Sequence, residues 1–85
     1  MKLDPTKRFA KSYQKLPQQV RKQTDQKLGF LLENPKHTSL RVKKIKSSKD
    51  WFELSITKNY RLAFRIERDI YILLDVGTHR EILGR

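Results

Sequence analysis

Two neighbouring stretches of this sequence alternate in a way that sets charged side chains apart from apolar ones. Phe52, Leu54 and Ile56 alternate with Glu53, Ser55 and Thr57, and Leu62, Phe64 and Ile66 alternate with Arg61, Ala63 and Arg65. Successive side chains of an extended chain point to opposite faces. If the apolar set faces a core, Glu53, Arg61 and Arg65 share the other face. Lys43, Lys44 and Lys46 adjoin that face from the preceding segment, and Asp75, His79 and Arg80 from the end of the following one. Arginine forks and lysine point charges on such a surface hold a phosphate backbone. Trp51 and Tyr60, near strand ends, offer aromatic faces to unpaired bases.

The same residues also have purely structural uses. Arg61 or Arg65 can pair with Glu53 across strands, and Trp51 and Tyr60 can pack at the edge of a core. His37 follows Asn34-Pro35-Lys36 and reads as loop. His79 follows Gly77-Thr78 and precedes Arg80, a position open to either a structural or a chemical role. The lysines around Ile45 also protect a sheet edge against aggregation.

Composition narrows the classes. Twenty Lys and Arg against nine Asp and Glu give a formal net charge of +11, which repels itself and attracts a polyanion. Nucleic acid fits best, an acidic protein next and an anionic membrane surface third. No cysteine is present and there are only two histidines, so disulfides and zinc are not expected, and no cofactor is called for. The N-terminus lacks a signal-peptide stretch and no apolar run spans a bilayer. The expectation is a cytoplasmic protein with no membrane partner.

The elements that must position these residues follow from period and punctuation. Asp4 is expected to cap a first helix with Pro5 at its first position, and Phe9, Tyr13 and Leu16 form its apolar stripe. Pro17 breaks that helix and begins a second, which runs to Glu33 with Val20, Thr24, Leu28, Leu31 and Leu32 as its stripe. Asn34-Pro35 ends it. Leu40, Val42 and Ile45 suggest a first strand, and Ser47-Ser48-Lys49-Asp50 a turn. Lys58-Asn59 and Arg68-Asp69 are tight turns between the alternating strands. Ile70 to Val76 is apolar at nearly every position, as in a strand covered on both faces. The expected architecture is a single α+β domain over residues 1–85. An N-terminal antiparallel helical hairpin packs on one face of a twisted, mainly antiparallel sheet of about four strands.

In this order, Trp51-Phe52-Glu53-Leu54-Ser55-Ile56, Asn59-Tyr60-Arg61-Leu62 and Asp75-Val76-Gly77-Thr78-His79-Arg80 resemble the RelE/ParE toxin superfamily over nearly the whole chain. The resemblance implies a toxin of a type II toxin–antitoxin system, partnered by a cognate antitoxin protein. The RelE branch is an mRNA interferase: it acts on the ribosome, cuts mRNA there without a metal and so inhibits translation. By position, Arg61 resembles the phosphate-binding arginine and Arg80 the second arginine, with His79 as acid or base. Lys43, Lys44, Lys46 and Arg65 would hold RNA. Where the RelE branch carries lysines on the second strand, this chain has Glu53 and Ser55. Other ribosome-dependent members use a histidine or a carboxylate, which makes Glu53 the expected base and His79 the acid. The ParE branch of the same fold instead poisons DNA gyrase by binding. A non-catalytic module that holds RNA or an acidic protein is the remaining alternative.

Overall fold

The computed structural model describes residues 1–46, 48 and 50–83. Strand β1 (Lys2–Pro5) leads into helices α1 (Lys7–Gln14) and α2 (Gln18–Glu33), then a single 3-10 turn at Thr38–Leu40. Strands β2 (Lys43–Lys44), β3 (Trp51–Ser55), β4 (Tyr60–Glu67) and β5 (Ile70–Thr78) follow, and helix α3 (His79–Leu83) closes the described chain. The sheet order is β1-β5-β4-β3-β2. Among the described residues only β1 pairs in parallel, with Lys2 opposite Ile70 and Pro5 opposite Leu73; the other pairings are antiparallel. The α+β class and the helical hairpin on the sheet are as expected, with five strands rather than about four.

Residues 2–5 account for the extra strand and correct the expected helix start. Asp4 and Pro5 lie in β1, and Thr6 caps α1. Its hydroxyl accepts the Phe9 N–H at 3.1 Å and donates to the Leu73 carbonyl at 2.9 Å. The outer edge of β5 would otherwise carry unpaired backbone groups, and a parallel strand satisfies them.

The helical stripes hold with one exception. Phe9, Leu16, Val20, Thr24, Leu28 and Leu31 are buried, while Leu32 is exposed because it sits about a quarter turn off the line of the others. Pro17 and Asn34 flank α2 as expected. The buried Thr24 hydroxyl donates to the Val20 carbonyl, which satisfies it within the helix.

The first expected strand is corrected to two residues. Leu40 is buried from the 3-10 turn, Arg41 takes a left-handed φ of 48°, and Val42 is exposed. Ile45 is buried, and its N–H extends the ladder to the Trp51 carbonyl at 2.9 Å. Ser47 and Lys49 of the expected turn lie outside the described residues. Leu54, Leu62 and Phe64 fill the sheet side of the core, but Ile66, close to the β4–β5 turn, is exposed. A register shift at Ala63/Phe64 leaves Leu74 unpaired as a bulge in β5.

Candidate functional site

The alternating polar residues of β3 and β4 share one face of the sheet, and the strand register sets their neighbours. Trp51 lies opposite Arg65, Glu53 opposite Ala63, and Ser55 opposite Arg61. Lys43 of β2 is the other neighbour of Glu53, while Asp75 and Gly77 of β5 flank Ala63 and Arg61.

This face is not open along its length. Glu53 and Ala63 are only 7% and 2% exposed: α3 packs on β4 and β5, and the Arg61 side chain lies beside Glu53. The turn from β5 into α3 is a capping box. The Glu81 carboxylate accepts the Thr78 N–H at 2.8 Å, and the Thr78 hydroxyl accepts the Glu81 N–H at 3.2 Å. A Cβ on Gly77 would stand 2.6 Å from Glu81 Oε1, so the glycine makes room for this approach. The pattern Thr78-x-x-Glu81 ahead of Ile82-Leu83 is the sequence signal for this helix, which the expected architecture of two helices did not include.

Between α3 and the sheet lies a cleft of about 690 Å³. Lys43, Lys44, Lys46 and Trp51 line it together with Glu53, Ala63, Leu74 and Asp75, and Glu81, Ile82 and Leu83 supply the α3 side. Arg8 reaches it from α1, a contribution for which the sequence held no local signal. Trp51 is 42% exposed and is the only tryptophan in the chain.

Arg61 sits beside Glu53, with Nε 3.4 Å from Oε1 and both side chains largely buried. Its Nη1 donates to the carbonyls of Thr57, Lys58 and Tyr60 at 2.7, 3.0 and 3.1 Å. The guanidinium therefore ties together the loop joining β3 to β4. The expected cross-strand pair with Glu53 thus falls to Arg61, and Arg65 pairs with Glu67 at 2.8 Å. The His79 N–H donates to the Asn59 carbonyl of the same loop at 2.7 Å. That bond sets the start of α3 near Arg61, with the side chains of His79 and Arg80 exposed. Tyr60 packs against the core cluster. The fold thus joins Glu53 to Arg61, and gathers Lys43, Lys44, Lys46 and Trp51 around the cleft. Arg61, Arg65, His79, Arg80 and Tyr60 do not line it. Among the described residues, no three His, Cys, Asp or Glu side chains come together as a metal site, and no helix is long and apolar enough to cross a membrane.

Residues 3–83 match the family described as the ParE toxin of the type II toxin–antitoxin system, parDE. Solved structures share the fold. YafQ from E. coli strain BL21(DE3) superposes with a TM-score of 0.81 at 14% identity, covering 96% of this chain and 97% of that one. The RelB–RelE antitoxin–toxin complex from Methanococcus jannaschii contains a chain similar at 0.77 and 21% identity, with 93% of each chain covered. The intact E. coli RelBE toxin–antitoxin complex contains one similar at 0.69 and 27% identity, covering 88% of this chain and 92% of that one. No curated protein matches in sequence. A family match over almost the entire length, on a fold shared with RelE and YafQ, shows that the chain belongs to the ParE toxin family of type II toxin–antitoxin systems, within the RelE/ParE superfamily.

Proposed function

We propose that this toxin is a ribosome-dependent mRNA endonuclease acting in the cytoplasm, held inactive by a cognate antitoxin. Two of the similar structures are toxin–antitoxin complexes with RelB, which supports the antitoxin partner. The observation that carries the nuclease reading is the Glu53 carboxylate, which lines a cleft bordered by lysines and has the Arg61 guanidinium beside it, behind the cleft wall. Ribosome-bound mRNA would lie along that border.

The proposed chemistry uses Glu53 and Arg61 together with His79 and Arg80, whose exposed side chains at the start of α3 would have to reach the substrate from outside the cleft. Glu53 takes the proton of a ribose 2′-hydroxyl, and the 2′-oxygen attacks the adjacent phosphorus. Arg61 and Arg80 stabilise the charge on the phosphorane, and His79 protonates the departing 5′-oxygen. The products are a 2′,3′-cyclic phosphate and a free 5′-hydroxyl. Lys43, Lys44, Lys46 and Arg65 hold the backbone, and Trp51 and Tyr60 contact bases.

A second reading, DNA gyrase poisoning by binding alone, is favoured by one observation. Three backbone carbonyls and Glu53 already occupy the Arg61 guanidinium on two of its nitrogens, as suits a structural arginine. Induction in cells followed by primer-extension mapping of mRNA 5′ ends separates the readings. Cuts within translated codons that vanish when translation is blocked support the nuclease, and Glu53→Gln and His79→Ala should each reduce them ten-fold or more. Arg61→Ala should do the same, but it also removes a charged donor from three carbonyls and should destabilise the fold by about 1.5–3 kcal/mol. Cleavage by that variant is therefore compared at equal folded concentration. Intact mRNA with trapped, cleaved DNA–gyrase complexes supports the second reading. Harmless expression without an antitoxin leaves only an RNA- or protein-binding module.

A further inference from the structure

Arg8 enters the cleft from α1, far in sequence from the other cations there, and it is oriented rather than loose. Its Nε donates to Asp75 Oδ2 at 3.1 Å, although its side chain is 71% exposed. Asp75 is itself fixed, because Oδ1 accepts the Ser12 hydroxyl at 2.6 Å and the Val76 N–H at 2.9 Å. One carboxylate oxygen is thus committed to structure and the other to Arg8. An exposed ion pair of this kind stabilises a fold very little. Its consequence is geometric: with Nε held, the two Nη groups have no acceptor among the described residues and are available as a fork for a phosphate.

The lysines of the cleft stand on its opposite side. β5, which carries Asp75, is separated from β2, which carries Lys43 and Lys44, by β4 and β3. Three strand spacings amount to about 14 Å. Trp51 lies on β3, between these two cationic walls. A single aromatic face between the lysines on one side and the Arg8 guanidinium on the other suits an unpaired strand, whose bases are free to stack on a side chain. In a duplex those faces are already stacked on one another.

We propose that Arg8 is a phosphate-binding residue of the cleft, with Asp75 as its positioning residue. Together with Lys43, Lys44 and Lys46 it grips a single-stranded nucleic acid at two places, with a base against Trp51. The proposal rests on the reading of the cleft as an RNA site but not on cleavage there.

Trp51 reports occupancy directly, since the chain has no other tryptophan. The full-length protein is titrated with a single-stranded oligodeoxynucleotide of about ten nucleotides, which lacks the 2′-hydroxyl needed for cleavage. Trp51 fluorescence is followed at several salt concentrations. Arg8→Ala should weaken binding about ten-fold and reduce the slope of log affinity against log salt by about 0.7, the value for one phosphate contact on a single strand. Lys7→Ala, also exposed and one position away, serves as the charge control and should lose far less.

Asp75→Asn gives a sign that net charge alone does not. The asparagine oxygen still accepts from Ser12 and Val76, while its amide nitrogen repels Arg8. Removing an acid from a basic cleft strengthens anion binding by simple electrostatics, whereas loss of Arg8 positioning weakens it. Asp75→Asn should therefore weaken binding in the wild-type background and not in the Arg8→Ala background. Equal losses for Arg8→Ala and Lys7→Ala, or tighter binding by Asp75→Asn, would overturn the proposal. So would an acidic peptide that binds as well as the oligonucleotide with the same dependence on Arg8. In cells, mRNA cleavage unaffected by Arg8→Ala would sink this inference and leave the nuclease reading standing. Arg8-dependent binding with no mRNA cleavage would do the reverse.

Discussion

Gly77 and Glu81 show how one missing side chain permits another to act. Gly77 has no left-handed backbone requirement, so its role is space, and the Glu81 carboxylate occupies that space while accepting the Thr78 N–H. A methyl group there must displace the end of the Glu81 side chain, which breaks half of the capping box. Gly77→Ala should cost about 1 kcal/mol, in the range of a lost helix cap. In a Glu81→Ala background, where no carboxylate needs the space, that cost should disappear. Urea unfolding of the four proteins forms a double-mutant cycle, and additive costs would show that Gly77 acts through something other than Glu81. The same residues bear on the candidate site, because Gly77 pairs with Arg61 and Glu81 lines the cleft.

At the scale of elements, the junctions decide what the helices can do. Thr6 caps α1 and ties it to the Leu73 and Leu74 carbonyls beside the β5 bulge, which helps set the approach of α1 to the cleft and hence of Arg8. Thr6→Ala should destabilise by about 1–2 kcal/mol. Asp4→Ala, at the residue the local pattern favoured as the cap, should change stability by less than about 0.5 kcal/mol. Equal effects in thermal or denaturant unfolding would reinstate Asp4 as the cap. The helical hairpin has a latch of its own, the Tyr13 hydroxyl donating to Asp25 Oδ1 at 2.7 Å. That bond, aided by burial and the Asp25 charge, raises the phenol above its ordinary value of 10.0. A raised value means that the neutral phenol favours the folded state. Its contribution is complete below pH 10 and is lost as pH rises through the folded value. Tyr13→Phe should flatten the fall in melting temperature measured above pH 10, and an unchanged slope would remove the latch from the account.

For the molecule as a whole, a net charge of +11 on 85 residues opposes compaction, and only three ion pairs are formed among the described residues. Two of them involve arginines at or bordering the cleft, Arg8 and Arg61. Screening should therefore stabilise the free protein. Its melting temperature should rise as sodium chloride is added from low to about 0.15 M, where the Debye length has shortened to about 8 Å. A flat or falling melting temperature would show that the cations are spread widely enough not to repel. The same field draws polyanions to the molecule, and their affinity falls as salt is added, so bound nucleic acid should reverse the salt dependence of melting: the complex should melt lower as salt rises.

Local chemistry made the alternating strands, the two helices and the polar face carrying Glu53, Arg61 and Arg65 legible, because period and turn residues act over a few positions. The Thr78-x-x-Glu81 cap is an equally local signal. Tertiary structure alone decided three things. Residues 2–5 have no strand pattern, and they pair because β5 offers a bare edge. Glu53 and Ala63 alternate with apolar residues as solvent-facing positions should, yet both are buried, with α3 folded back on β4 and β5 and Arg61 against Glu53. Arg8 reads as one more charge on the outer face of an amphipathic helix, and it meets Asp75 only after the chain has closed a loop of 67 positions. The sequence determines which face a side chain takes on its own element, whereas what stands opposite that face is fixed when distant elements pack.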